Sequence, residues 1–481
     1  MKISRFPAVF VLLLLSTNLF SQANEKWTLE KCIEYAFAHN IQVRQTDVTQ
    51  QISKNENLQS KLNFLPSVDG NITFSNNFGN GFNPQTYSFA QGTSQSLQTS
   101  VQATLPLFTG LQQVFNVERT KYELLASKFD YENAKQNVAL SVASAYLQVL
   151  LNKEILKVAE KQKQLTTQQL ETVKAKIKSG TLPEVSLFET DAQLARDEAN
   201  IVAAQNAIDL GLLSLKQLLQ LNEKNFEVAV PEVPLDNVAD VAALSSESIF
   251  QYALGNQPSI KSAEARWKSA NASHKATLGA LSPTISAFGS LSSSYFSGDR
   301  KYGPSYDSIR FPFSGDISGI PFTGTASLLN VSSTDLGAKT FAESLTDNFR
   351  KVVGINVSIP IFSRWQRVTN IQNAKLQMQI RELQLESNKN QLRQDIEVAY
   401  TNAKAAAQSF VANKKSTESA QKSLNAFDKR FGAGMLGNFE LQQAKNSLAV
   451  AESEMIRAKY TYVFRLKVLD FYQGKPLRME N

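Results

Sequence analysis

The chain has 481 residues, of which 42% are hydrophobic and 19% charged, with a mean hydropathy of -0.24. That is too apolar for a disordered chain and too polar for a bundle of membrane helices. One Cys and two His exclude a disulfide framework and a Cys/His zinc site, and the net charge of +7, spread along the chain, argues against nucleic acid as a partner.

Lys2 and Arg5 precede an apolar run from Val9 to Leu15, and Ser21-Gln22-Ala23 puts small residues at the -3 and -1 positions of a cleavage site. This pattern predicts a secretory signal peptide over 1–23, removed after Ala23. The apolar run is far shorter than the ~20 residues of a spanning helix. Cys32 follows Glu30 and Lys31, where a lipidation box needs small residues, so it reads as a half-buried thiol in a helix starting near Thr28. No later segment is apolar for the roughly 18 residues that mark a transmembrane helix.

The mature chain is written twice. Asn40 is matched by Asn256 and Pro66 by Pro283, at offsets of 216 and 217. Thr104-Leu105-Pro106-Leu107-Phe108 is matched by Ser358-Ile359-Pro360-Ile361-Phe362 at an offset of 254. That offset holds for Val138, Val142, Ala145 and Tyr146 against Leu392, Ile396, Ala399 and Tyr400, and again for Gly180 against Gly434. The step between offsets is a 37-residue insertion between Pro283 and Ser358. The copies span 24–221 and 247–473, with a linker over 222–246 and a tail over 474–481.

Both copies predict the same elements in the same order. A helix opens each, near 28–62 and 248–278. Two strands follow, about 67–78 and 96–106, then 284–296 and 351–361; the outer loop between them is short in the first copy and long, 297–349, in the second. Long helices come next, about 107–178 and 362–431, then tips at 178–182 and 432–437, then closing helices over 183–221 and 438–473. The periodic stretch Leu111–Ile177 alone, 67 residues at ~1.5 Å each, makes a long helix about 100 Å in length. Val138, Val142, Ala145 and Val149 follow the spacing of a coiled coil, and an ordinary coiled coil without a channel has the same pattern.

The strands bear on function. Val68, Gly70, Ile72 and Phe74 alternate with Ser67, Asp69, Asn71 and Thr73; Leu97, Thr99, Val101, Ala103 and Leu105 alternate with Gln98, Ser100, Gln102 and Thr104. Ile355, Val357, Ile359 and Ile361 do the same, and Ile285, Ala287, Gly289 and Leu291 do so more weakly because Phe288 falls on the polar side. Each segment has about the 9–11 residues of a tilted transmembrane strand. A half-buried soluble sheet alternates too; export and a Ser/Thr/Asn/Gln polar face favour a water-filled lumen. Four strands cannot close around a channel, and open edges in lipid leave backbone groups unpaired at several kcal/mol each. Two copies give eight strands, filled by side chains; three give twelve, wide enough to conduct.

In this plan the chain resembles the TolC family of outer-membrane efflux and export proteins. The residues that carry the likeness are Asn40, Phe64-Leu65-Pro66-Ser67, Pro106-Leu107-Phe108-Thr109-Gly110, Ala145-Tyr146, and Phe431 with Gly434. The resemblance covers nearly all of the mature chain. It implies an α+β outer-membrane duct: a homotrimer sharing a 12-stranded β-barrel in the outer membrane of a Gram-negative bacterium, extended by a helical barrel into the periplasm. It also implies a passive channel and not an enzyme, without cofactor or metal, whose partners are a periplasmic adaptor, an inner-membrane transporter and outer-membrane lipid.

The resemblance makes the two tips, Gly180, Thr181 and Leu182 with Gly434, Met435 and Leu436, the adaptor-docking sites; any helical hairpin needs such turns. Gly432 to Gly437 also spells G-x-G-x-x-G, but a helix precedes it where a dinucleotide fingerprint needs a strand. Alignment through Gly434 puts Glu440 and Gln443 at the family's entrance-constricting positions, and Ser186 at an acid position in the first copy. Three Glu440 side chains would form a cation-favouring ring; the plain alternative is a solvated glutamate that suits the helix dipole. The insertion, with Tyr302, Tyr306, Phe311, Phe313 and Phe322, reads as a lid, a recognition element or a variable surface loop. Tyr87, Phe89, Tyr295 and Phe296 suit an interfacial aromatic girdle. No Walker A, H-E-x-x-H or G-x-S-x-G sequence is present, and His39 and His274 read as structural. The competing class is a periplasmic coiled-coil scaffold or adaptor with a small soluble sheet. Drug efflux and protein secretion are not separated.

Overall fold

A computed structural model describes residues 26–83, 88–222, 226–231 and 245–477. The signal peptide with its cleavage site, most of the linker, Tyr87 and the end of the tail lie outside the described residues, as does the side chain of Phe89. The elements are α1 (Leu29–His39), α2 (Ile41–Leu62), β1 (Ser67–Asn83), β2 (Ser88–Phe108), α3 (Gln112–Lys178), α4 (Val185–Leu219), α5 (Ser246–Asn256), α6 (Pro258–Gly279), β3 (Thr284–Phe296), β4 (Arg300–Ile317), β5 (Ile320–Ala338), α7 (Phe341–Asp347), β6 (Arg350–Ser358), α8 (Gln366–Gly432) and α9 (Asn438–Tyr472). The duplication shows in these bounds. α1, α2 and the start of β1 recur 217 positions later as α5, α6 and β3, and α3 recurs 254 positions later as α8.

Four expectations change. The opening helix of each copy is two helices. Asn40 ends α1 and starts α2: its Oδ1 accepts from the Gln42 N–H at 2.9 Å, and its Nδ2 donates to the Leu218 carbonyl at 2.9 Å. The offset of 217 pairs Asn40 with Gln257, the cap of α5, and not with Asn256. Secondly, the stretch 297–349 is no loop. It holds the β4–β5 hairpin and α7, a strand pattern diluted by Gly, Pro and Ser. Thirdly, β1 and β2 pair as far as Asn83 with Ser88, so most of 79–95 is ladder. Lastly, β6 stops at Ser358 and not at 361, since Pro360 has no N–H to donate. The long helices begin at Gln112 and Gln366, after two consecutive left-handed residues in each copy: Gly110 and Leu111 at φ 63 and 65, Arg364 and Trp365 at φ 50 and 66.

The chain divides into two compact units. The helical unit holds the described residues up to Ile52, Leu125–Ala265 and those from Glu382. It has two related cores. In one, Leu29, Cys32 and Ala36 of α1 meet Val142, Tyr146 and Leu150 of α3, Leu215 of α4 and Val463 of α9. In the other, Phe250 and Ala253 of α5 meet Leu392, Ile396, Ala403 and Phe410 of α8 and Tyr462 of α9. Each fully buried Leu or Ile contributes about 1.5–3 kcal/mol. The Tyr146 hydroxyl donates to the carbonyls of Trp27 and Ala229, at 3.1 and 2.7 Å. It thereby ties down a parallel bridge between Trp27 and Val228 that anchors the described part of the linker.

The strand unit holds Ser53–Leu124 and Arg266–Arg381. Its antiparallel sheet has the order β1-β2-β3-β6, and β4-β5 forms a separate two-stranded sheet. Asn57 Nδ2 and Ser60 Oγ both meet Thr120 Oγ1, at 3.0 and 2.8 Å, and join α2 to α3. Gly110 and Gly279 pack backbone against backbone, so that a Cβ on either would strike the other's carbonyl oxygen.

Candidate functional site

The register of the four-stranded sheet decides which side chains share a face. Val68, Ala103, Gly289 and Val353 form one row across it. Phe74, Leu97 and Tyr295 form another, and Leu105, Ala287 and Ile355 a third. The apolar half of every alternating segment therefore lies on one continuous face. That face is bare: Ile72 is 75% exposed and Val353 89%. The opposite face carries Asp69, Gln102 and Ser290 in one row and Asn71, Ser100 and Ser292 in the next. Phe288 is one of the apolar residues on this wet face, with Val352 and Phe296. Its ring lies over Gly354 of β6, its partner in the ladder, 2.7 Å from where a Cβ would stand. β1 and β6 end the sheet, each with one edge unpaired among the described residues. No described helix is long and apolar enough to cross a membrane.

The two tips close alike. The Thr181 N–H reaches back to the Lys176 carbonyl and the Met435 N–H to that of Arg430, both at 2.9 Å. Gly180 and Gly434 both sit at φ 74, where a side chain is strained and glycine is not. Thr181 and Met435 are exposed and Leu182 and Leu436 half-buried. Lys176 ties α3 to the end of α8: its Nζ donates to the Phe431 carbonyl at 2.8 Å and lies 4.0 Å from the Phe431 ring centroid.

Just past the second tip, Glu440 is exposed and turns back over the start of its own helix, its Oε2 2.6 Å from where a Cβ on Gly437 would stand. The carboxylate thus lies at the positive end of α9. Gln443 is exposed and lines a groove of about 900 Å³ between α4, α8 and α9, together with Glu189, Arg196, Asn413 and Glu454. Ser186 is buried in the first turn of α4, its carbonyl accepting from Thr190 Oγ1 at 2.7 Å.

Beside these residues lies a group that sequence reasoning missed. Thr166, Gln169, Thr190, Gln193, Asp197, Asn438 and Lys445 are all buried where α3, α4 and α9 meet. Thr166 Oγ1 and Gln193 Nε2 donate to the two Asp197 carboxylate oxygens, at 2.6 and 2.8 Å. Gln169 Nε2 donates to Asn438 Oδ1 at 3.1 Å, and Lys445 Nζ to Gln169 Oε1 at 3.2 Å. Burial holds the Lys445 ammonium below its usual pKa, against the opposing pull of Asp428. The signal was in the spacing. Gln162, Thr166, Gln169 and Val173 follow the same heptad steps as Val138, Val142, Ala145 and Val149, with polar residues at core positions.

A sheet with one bare apolar face and two open edges, together with two 67-residue helices that end in glycine-closed tips, has the parts of an outer-membrane channel subunit. A model of the outer membrane efflux protein family matches residues 33–220 and 322–474, and the chain belongs to that family. It is 22% identical over 457 residues to the outer membrane efflux protein BepC of Brucella suis, covering 94% of this chain and 86% of the relative. It is 22% identical over 471 residues to the outer membrane protein TolC of Escherichia coli, covering 94% and 83%. Among solved structures, that of CusC gives a TM-score of 0.74 at 16% identity, covering 95% of this chain and 96% of that one. The likeness to CusC places the chain in the α+β duct fold that the sequence implied.

Proposed function

We propose that three copies of this chain form one passive duct through the outer membrane. The single observation behind this reading is the sheet: one apolar face across four strands, with a free edge at each end. In lipid those edges need partners. β1 of one copy pairs with β6 of the next, three sheets make a twelve-stranded barrel, the apolar face meets lipid and the Ser/Asn/Gln face lines water. The helical unit lies on the periplasmic side, and its tips at Gly180 to Leu182 and Gly434 to Leu436 receive the adaptor of an inner-membrane transporter. The chain itself does no chemistry; energy and cargo choice belong to the transporter.

Glu440, Gln443 and Ser186 mark the periplasmic entrance in this reading, and the polar group around Asp197 is what lets it open. Water can replace the hydrogen bonds among α3, α4 and α9 at a small net cost, since each such bond adds only about 0.5–1.5 kcal/mol. The direct test is extraction and mass. A duct needs detergent, runs as a trimer and conducts in planar bilayers. A protein released by osmotic shock as a water-soluble monomer would exclude it.

A further inference from the structure

The β4–β5 hairpin takes no part in the four-stranded sheet. Among the described residues it pairs with no other strand, yet it is long and sided. The ladder pairs Ile309 with Leu328, Phe311 with Ala326, Phe313 with Gly324, Gly315 with Phe322 and Ile317 with Ile320, all on one face of its distal half. The other face pairs Arg310 with Ser327, Pro312 with Thr325 and Ser314 with Thr323. Phe322 lies over Gly315 and Phe313 over Gly324, each within about 3 Å of where a Cβ would stand, so the two rings lie across the ribbon and flatten the apolar face. Their centroids are 6.1 Å apart. Phe311, Phe313, Ile317 and Leu328 stay 47–67% exposed. Nine residues a strand make this plate about 30 Å long. An isolated two-stranded hairpin is marginal in water, and a bare apolar surface of this extent marks a contact.

The base of the hairpin is braced. Asp299, buried, accepts from Ser344 Oγ at 2.7 Å and from Asn348 Nδ2 at 3.3 Å. Lys301 Nζ donates to Glu343 Oε1 at 2.6 Å, Arg300 pairs with Asp335, and Thr340 and Glu343 form a capping box on α7. Asn348 also donates to the Ser294 carbonyl of β3 at 2.9 Å. The chain enters the hairpin from β3 and leaves through α7 into β6, whose free edge is the seam between copies in the duct proposed above. Three hairpins are then held at one level around one axis. Copies tethered in this way see one another at an effective concentration near the millimolar range.

We infer that the distal apolar faces of the β4–β5 hairpins from neighbouring copies of this chain pack on one another outside the membrane. This rests on the trimeric duct reading. The inserted stretch is then a self-association surface that staples the outer rim of the assembly.

The chain's one cysteine, Cys32, is fully buried, so an introduced thiol can be addressed alone. Ile317 and Asp316 are neighbours at the tip on opposite faces of the ribbon. Full-length Ile317→Cys and Asp316→Cys are treated with a short bis-maleimide in outer membranes, and the molar mass of each is measured in detergent before and after. Ile317→Cys should give covalently joined copies at least ten-fold more than Asp316→Cys. Equal bridging, or none from Ile317→Cys while the protein still runs as a trimer, overturns the hairpin contact and leaves the duct standing. A monomeric mass overturns both.

Discussion

At the scale of single residues, contacts between backbones set the tightest limits. Gly110 and Gly279 meet where β2 hands over to α3, and neither has room for a methyl group. Neither backbone can rotate away as a side chain can, so Gly279→Ala should lower stability by about 1–3 kcal/mol, the usual range for overpacking. Chemical unfolding checks it; an unchanged midpoint would mean that the junction yields. Gly180 and Gly434 are glycine for a different reason, a positive φ with open space around them. Glu440 is a question of charge. Its carboxylate already suits the start of α9, and a ring of three favours cations. Glu440→Gln should shift the reversal potential of single channels towards lower cation preference; an unshifted potential leaves the carboxylate a helix-end role only.

For the elements, the polar seam between α3, α4 and α9 is the feature with most consequence. Apolar heptads hold the upper helices together through Val142, Tyr146 and Leu150, or Ile396, Ala403 and Phe410. Nearer the tips, Thr166, Gln193 and Asp197 occupy the same kind of position. Replacing a satisfied buried polar group by an apolar one of similar size is often stabilising, whereas removing one partner strands the others at about 1–3 kcal/mol. The triple change Thr166→Val, Gln193→Leu, Asp197→Leu should therefore raise the unfolding midpoint and lower conductance, while Asp197→Ala alone lowers the midpoint. Conductance unaffected by the triple change would remove the seam from the opening step.

For the whole molecule, the proposed duct sets the two faces of the sheet against two solvents. Ile72 lies on the apolar face and Asn71 beside it on the polar one. An Arg on the lipid side of a barrel costs about 2–4 kcal/mol near the membrane midplane, and a trimer carries it three times. Ile72→Arg should prevent assembly in the outer membrane, while Asn71→Arg leaves assembly intact and changes ion selectivity. Equal tolerance of both would contradict the assignment of faces.

Much of this was legible in the residues. Periods of two and of seven, the doubled layout and the glycine tips are local properties, set by sterics within a few residues of each position. The hairpin was not legible, because Gly303, Gly315, Gly319 and Gly324 dilute its alternation until it reads as loop. The seam was hidden because Gln and Thr at heptad positions look like a solvated face until a third helix covers them. An alternating segment says that it has an apolar side; it does not say whether that side will line up with its neighbours. That depends on register between strands almost two hundred residues apart, as where Val101 pairs with Leu291, and a slip of one residue would turn every side chain over. The amino-acid order alone thus determined the kinds of element and their duplication. Which faces joined, which polar groups were buried and which edges stayed open was decided by packing between distant segments, because burial belongs to a pair of surfaces and not to either one.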